Sequence, residues 1–258
     1  YDRAALKLDA VEKDALRNKT DSYWRFLLSG KTVTWRDEIA GEINVRTSVV
    51  SDPILVKGNG QFLYTLASVI DDWDFGVTDV VRGIDHLTNT AVQIEIFRNL
   101  SAGLPVFGHH SLIVDNSGEN FSKRSGSLSI KSLKEAGIEA GAIVSKLVSL
   151  GTGNGPDLKN NVDELTPKFE LSKFSAAPVR FEKQALEAIS RKLISNLGAS
   201  QIFPYLDLIG VPNHIKEDFW IMAKDNINMR EELADFWHLC KDGIYSPVIA
   251  SGDEEFID

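Results

Sequence analysis

The spacing of apolar residues changes period several times along this chain. Residues 1–20 (YDRAALKLDAVEKDALRNKT) have only Leu6, Leu8, Val11 and Leu16 as sparse apolar positions, which predicts a polar helix. β-Branched and aromatic runs at 23–28, 33–35, 43–45 and 53–56 predict strands, and Gly58-Asn59-Gly60 predicts a turn. Residues 61–72 (QFLYTLASVIDD) return to helical spacing, with Leu63, Leu66, Ala67 and Ile70 on one face. The run 77–81 predicts a buried strand that Arg82-Gly83 ends. Thr88 or Asn89 then caps a helix that turns Val92, Ile96, Phe97 and Leu100 inward. Another strand is expected at 110–114, with Asp115-Asn116-Ser117-Gly118 as a turn after it.

Further on, the pattern is helical. Ser129 caps one helix, and another at 139–150 ends in Gly151-Thr152-Gly153-Asn154-Gly155. That glycine string follows a helix and not a strand, so it reads as a C-cap and joint instead of a phosphate cradle. From residue 163 the chain is expected to be mostly helical. Helices are placed at 181–195, with Leu186, Ile189, Leu193 and Ile194 inward, and at 215–224 and 229–240. Val211-Pro212-Asn213 separates the first two. The fold class is α/β followed by all-α.

Composition changes this picture only at the margins. A chain of 258 residues, 43% hydrophobic and 25% charged, can bury a sizeable core and more than one domain. Its net charge of -9 argues against an unspecific nucleic-acid binder, while leaving room for local basic patches. The one cysteine, Cys240, can form neither an internal disulfide nor a cysteine cluster for zinc, which makes a reducing cytoplasm the default. No apolar run reaches membrane-spanning length and no signal peptide is read at the start. His214 and His238 lie on helical segments with no acid at ligand spacing and are expected at or near the surface.

The candidate chemistry centres on Arg82 and on Ser122-Lys123-Arg124. An arginine at the C-terminal tip of a parallel strand stands where open α/β sheets bind ligands. On the residues alone, a structural pairing with Asp79 or Asp85 is the commoner fate of such an arginine. The loop 122–127 is short, basic and suited to holding polyphosphate.

Two stretches, VVRGIDHLTNTAVQ (80–93) and FSKRSGS (121–127), together resemble the bacterial glutamyl-tRNA synthetases, a class I aminoacyl-tRNA synthetase group. The first resembles that family's strand–RG–acid–H–helix signature, the second its version of the class I lysine loop. The resemblance implies the second half of a Rossmann-type catalytic domain with part of its acceptor-binding insertion, then a stem-contact domain and a helical anticodon-side domain. The corresponding stretches are 1–67 for the insertion leading into the catalytic domain, 68–108 for the catalytic half, 109–195 for the stem-contact domain with the SKR loop and 196–258 for the anticodon-side domain. It implies ATP-dependent ligation of glutamate to tRNA through a glutamyl-adenylate.

In that reading Arg82 grips the glutamate side chain by two parallel hydrogen bonds, Tyr64 donates its hydroxyl to the same group and Ser68 lines the pocket. Lys123 and Arg124 hold the ATP phosphates through the reaction. Asp85 and His86 flank the ribose and adenine, and Leu112 and Ile113 offer backbone groups to the adenine edge. ATP with Mg2+ is the co-substrate, and no zinc is expected. The partners are the glutamate tRNA, with the glutamine tRNA left open, and a cytoplasmic monomer is expected. Ile84 and Ser125 depart from the family pattern. The family's HIGH-type motif is not found, so the chain is expected to be a fragment, inactive alone. Two alternatives stand beside this one: a paralogue that glutamylates a modified tRNA base, queuosine, and a non-catalytic tRNA-binding module.

Overall fold

A computed structural model describes residues 2–17, 19, 22–115, 117–119 and 129–243. They form two compact units, Tyr1–Val114 with Glu170–Val179, and Asp115–Phe169 with Arg180–Asp258.

The first unit is α/β. The expected N-terminal helix is in two pieces, a 3-10 turn Ala4–Lys7 and α1 (Ala10–Arg17). The break falls there because Asp9 and Glu12 cap each other's backbone N–H groups at 2.8 and 3.0 Å, starting a fresh helix. Strand β1 (Trp24–Arg25) is shorter than the expected 23–28 and pairs with β4 (Ile54–Val56). Between them β2 (Thr32–Asp37) and β3 (Gly41–Arg46) form an antiparallel hairpin. Helix α2 (Tyr64–Asp74) begins three residues later than its periodicity suggests. Phe62 bridges to Val56, and Leu63 N–H donates to the Leu55 carbonyl at 2.8 Å. Strand-type pairing there satisfies a backbone group that a helix start would leave open.

Strand β5 (Asp79–Gly83) continues through the Arg-Gly pair instead of ending at it, and it is not the buried strand that 77–81 suggests. Val81 is 49% exposed while Val80 packs on the core, as period-2 alternation at a sheet edge requires. A 3-10 turn, Ile84–His86, then leads into α3 (Leu87–Asn99), so His86 is the N-cap and Thr88 and Asn89 lie inside the helix. Every residue from Thr90 to Phe97 is buried, whereas Leu100 lies beyond the helix end and is exposed. Of the strand placed at 110–114 only a short piece, Ile113–Val114, forms, and a separate strand, β6 (Val106–His110), ends at His110. The run Phe107-Gly108-His109 lacks β-branched residues and concealed it.

The four-stranded sheet has order β3-β2-β6-β5, with β2, β6 and β5 parallel. Its core comprises Leu28, Val33, Trp35, Val69, Ile94, Phe97 and Phe107. Glu95 on α3 is buried and ties the helix to the hairpin region, accepting from Ser29 N–H and hydroxyl at 2.8 Å each and from the Thr47 hydroxyl at 2.7 Å.

The second unit is helical. Ser129 caps α4 (Ile130–Glu135) in a capping box with Ser132. Helix α5 (Ala140–Ser149) ends at the glycine string, where Gly151 and Gly153 take φ of 81° and 73° and so need glycine. Residues expected to be mostly helical from 163 instead begin with short 3-10 turns, Val162–Glu164 and Thr166–Lys168. Helix α6 (Lys183–Ser195) turns Leu186, Leu193 and Ile194 inward. The next helix, α7 (Ala199–Leu208), was not anticipated, because Pro204 sits inside it. Helices α8 (Lys216–Ala223) and α9 (Glu232–Asp242) bring Phe219, Trp220 and Leu233 into a core with Ile202 and Leu206. His214 and His238 are exposed, but His238 does have an acid at helical spacing, its Nδ1 lying 3.4 Å from Asp242 Oδ2 one turn on.

A Cβ on Gly141 in α5 would stand 2.7 Å from the Lys159 carbonyl oxygen and 2.9 Å from Asn160 Cα. Gly141→Ala therefore overpacks this contact and is expected to cost about 1–3 kcal/mol, read as a lower thermal midpoint. Gly155→Ala, where a Cβ meets open space, is expected to leave the midpoint within about 0.5 kcal/mol of the parent.

Candidate active site

Strand register builds the site. Arg82 on β5 lies directly opposite His109 on β6, and Asp37 at the end of β2 lies opposite Phe107. These three strand ends thus set a guanidinium, an imidazole and a carboxylate in a row across the C-terminal edge of the parallel strands, where α/β sheets place their ligands.

The row is ordered by Asp37. Its Oδ1 accepts backbone N–H bonds from Ile39 (3.1 Å), Ala40 (2.9 Å) and His109 (2.9 Å). Its Oδ2 accepts from His109 Nδ1 at 2.5 Å and Trp35 Nε1 at 3.3 Å. Burial alone would raise its pKa; the N–H donors of Ala40, His109 and Ile39 outweigh this and hold it below the usual carboxylate range. An ionised carboxylate only accepts, so the proton between the two belongs to Nδ1 of His109. Burial lowers the pKa of His109 against the opposing pull of Asp37, with the charges of Arg82 and His86 acting in the same direction as burial. The ring is therefore neutral, with its lone pair on Nε2. That atom lies 2.7 Å from the Thr90 hydroxyl and accepts from Arg82 Nε at a longer 3.4 Å.

Arg82 is half-buried, and its donors go to neutral partners. Nε–H goes to His109, and Nη2 donates to Thr90 Oγ1 and to Gln93 Oε1 (2.7 Å). Its guanidinium also stands 5.7 Å over the Phe107 ring. Burial pulls its pKa down, while Tyr64, Asp72 and Asp37 favour the cation. Among the described residues no ion pair links it to a carboxylate, Asp79 and Asp85 included. The bidentate grip expected for a ligand carboxylate is not open in this arrangement, since Nε and both protons of Nη2 are committed. Nη1 is the corner that remains for Tyr64 and a ligand.

Of the residues expected beside Arg82, Tyr64 bonds to it and Ser68 reaches it through Gln93. The side chain of Tyr64, first residue of α2, hydrogen-bonds to the guanidinium and sets its ring edge-on to His86, with centroids 6.5 Å apart. Ser68, one turn on, accepts from Gln93 Nε2 at 2.7 Å, which fixes the Gln93 amide with its oxygen toward Arg82. His86 Nδ1 is buried and finds no hydrogen-bond partner among the described residues. Asp85 is exposed, and a carboxylate oxygen of it sits where a Cβ on Gly83 would be. The Leu112 carbonyl accepts from Val179 N–H at 3.1 Å, and Ile113 follows in a two-residue extended piece. Lys123 and Arg124 lie outside the described residues.

Sequence reasoning missed Asp37, Thr90, Gln93 and His109. Asp37 carried a signal: alternation through Thr32–Asp37 puts Val33, Trp35 and Asp37 on the buried face, and an aspartate in a core position demands partners. A hollow of about 470 Å3 in the first unit lies elsewhere, beside Lys13, Arg17, Trp24 and Arg25. It is an open groove, and we place the site by the converging side chains at Arg82 instead. No group of three or more potential metal ligands gathers among the described residues, and no helix there is long and apolar enough to cross a membrane.

The fold is that of a class I synthetase catalytic domain. A crystal structure of a glutamate tRNA ligase from Elizabethkingia meningosepticum, in complex with its amino acid, matches with a TM-score of 0.80 over 97% of this chain and 55% of that one. At 20% identity this is a likeness of fold alone. The profile of the family described as tRNA synthetases class I (E and Q), catalytic domain, matches residues 1–188, and the chain belongs to that family. It is 43% identical over 258 residues to glutamate–tRNA ligase 2 of Ruegeria sp. (strain TM1040) and to glutamate–tRNA ligase 1 of Ruegeria pomeroyi. In both cases the chain spans 58% of the relative's length.

Both buried acid–base groups make the first unit less stable in acid. His109, with its folded pKa below the ordinary 6.5, contributes fully above that value and progressively less as pH falls beneath it. Asp37, folded below its ordinary 3.8, adds a second loss at lower pH. Thermal midpoints taken from pH 7 downward are expected to start falling near pH 6.5, and His109→Gln to flatten that first limb.

Proposed function

We propose that the protein carrying this chain ligates glutamate to tRNA, using ATP as its Mg2+ complex. In the first step a glutamate α-carboxylate oxygen attacks the α-phosphorus and pyrophosphate leaves. In the second, a terminal ribose hydroxyl of the tRNA attacks the carbonyl and AMP leaves. The observation that carries this reading is the guanidinium of Arg82, which has no carboxylate in ion-pair contact among the described residues and whose remaining corner, Nη1, is left to Tyr64 and a ligand. A carboxylate ligand would supply a counter-charge in direct contact with it. The names of the relatives support glutamate as that ligand.

In this reading Ser68 acts through Gln93 to hold the guanidinium, and Tyr64 shares the ligand. His86, with its unpartnered Nδ1, and Asp85 lie on the ATP side with Leu112 and Ile113. Lys123 and Arg124 take the phosphates. Little covalent chemistry falls to the protein, so its contribution is positioning and charge stabilisation. The stretches 1–67, 68–108, 109–195 and 196–258 serve as the end of the acceptor-binding insertion, the second half of the catalytic domain, the stem-contact domain and the first anticodon-side domain. The protein works as a cytoplasmic monomer on the glutamate tRNA.

The direct test is glutamate-dependent ATP–pyrophosphate exchange by the full-length protein, with and without tRNA. No exchange under either condition would remove the assignment. Arg82→Ala is expected to raise the KM for glutamate about ten- to a hundredfold, the loss of a hydrogen bond between charged groups worth about 1.5–3 kcal/mol, with the KM for ATP little changed. Lys123→Ala is expected to lower the exchange rate more than it raises the glutamate KM, as loss of a contact made chiefly in the transition state does. Single-turnover kinetics showing the opposite split would count against that role.

A further inference from the structure

We infer that Asp37 is a positioning residue for the substrate carboxylate, acting through the tautomer of His109 on Arg82. The inference rests on Arg82 receiving that carboxylate, as proposed above, and adds what decides where its free corner points.

The argument turns on how Asp37 divides its two oxygens. Oδ1 lies in a nest of three backbone N–H donors from Ile39, Ala40 and His109, and Oδ2 faces two ring N–H groups. An asparagine at position 37 would have to keep its carbonyl oxygen in the nest, because an NH2 group there would meet three donors. Its NH2 would then face His109 Nδ1, which could only accept. The imidazole proton would move to Nε2 and confront Arg82 Nε–H across 3.4 Å, donor against donor. Thr90 could still accept from Nε2, so the ring would stay seated while the guanidinium lost its anchor. Exchange of a carboxylate for its isosteric amide in a buried carboxylate–histidine pair is known to select the wrong tautomer elsewhere.

Asp37 makes no hydrogen bond or ion pair to Arg82 among the described residues, so its effect on glutamate would pass through His109, with its charge a smaller influence on the guanidinium. A merely structural aspartate would, when replaced, lower stability without changing which imidazole nitrogen holds the proton or selectively weakening glutamate.

The experiment has a spectroscopic and a kinetic arm. Long-range proton–nitrogen correlation spectra of the 15N-labelled chain are expected to show His109 as the Nδ1–H tautomer in the parent and as Nε2–H in Asp37→Asn. In the full-length protein, Asp37→Asn is expected to raise the glutamate KM about tenfold or more with the KM for ATP unchanged. Val45→Ala, which truncates a core side chain on β3, at the opposite edge of the sheet from Arg82, is expected to lower stability and leave the glutamate KM alone. An Nε2–H ring in the parent overturns the inference without any variant, which keeps it testable should Asp37→Asn fail to fold. A switched tautomer with an unchanged glutamate KM overturns it too, provided Arg82→Ala still raises that KM. If Arg82→Ala has no effect, the assignment of Arg82 to the substrate is what fails.

Discussion

The Asp37 carboxylate accepts five hydrogen bonds, three from backbone N–H groups and two from ring N–H groups, and has no capacity left over. That saturation keeps it ionised in the interior, fixes which nitrogen of His109 is the donor, and leaves the other as the acceptor that faces Arg82. Each link is cheap to satisfy and costly to break, since an orphaned buried polar group costs about 1–3 kcal/mol. The sheet supplies the geometry without strain, as Arg82 and His109 are partners in the ladder between β5 and β6. A short hairpin thereby governs a side chain two strands away.

The chain treats its buried or half-buried cations in two ways. Arg3 ends on Asp52, Lys216 on Asp207 and Arg230 on Glu139, each a cation matched by an anion. Lys216 is further held by Asn213 at 2.5 Å and lies 5.8 Å over the Phe203 ring. Removing one member of such a pair leaves a charge in a poor solvent, so these pairs fasten structure. Arg82 is bound instead by a hydroxyl, an amide oxygen and an imidazole lone pair. Those groups orient the charge without an ion pair to neutralise it.

How much of this could be read beforehand depended on whether a residue's neighbours in sequence were also its neighbours in space. Arg82, Tyr64 and Ser68 lie on or beside short motifs, and the structure brings them within one cluster. Asp37 and His109 sit 72 positions apart and meet only through strand pairing, so no local pattern joined them. His109 was further hidden in Gly108-His109-His110-Ser111, a stretch too poor in β-branched residues to announce a strand. Periodicity misplaced the start of α2 because backbone pairing at Phe62 and Leu63 overrides an apolar stripe, and Pro204 concealed α7 by arguing locally against a helix. The cap of α5 at its glycine string and that of α4 at Ser129 were legible, since each depends on chemistry confined to a few consecutive residues.

Helix α3 touches both halves of the first unit with residues two apart. Glu95 grips Ser29 and Thr47, while Gln93 grips Arg82 and Ser68 from the other side of the same turn. A helix buried all round from Thr90 to Phe97 behaves as a stiff beam, because close packing gives it nowhere to yield. Any slide of this beam along its axis would displace the hairpin anchor and the guanidinium clamp together and by the same amount. The two regions are thus mechanically ganged, like two cutters on a single shaft.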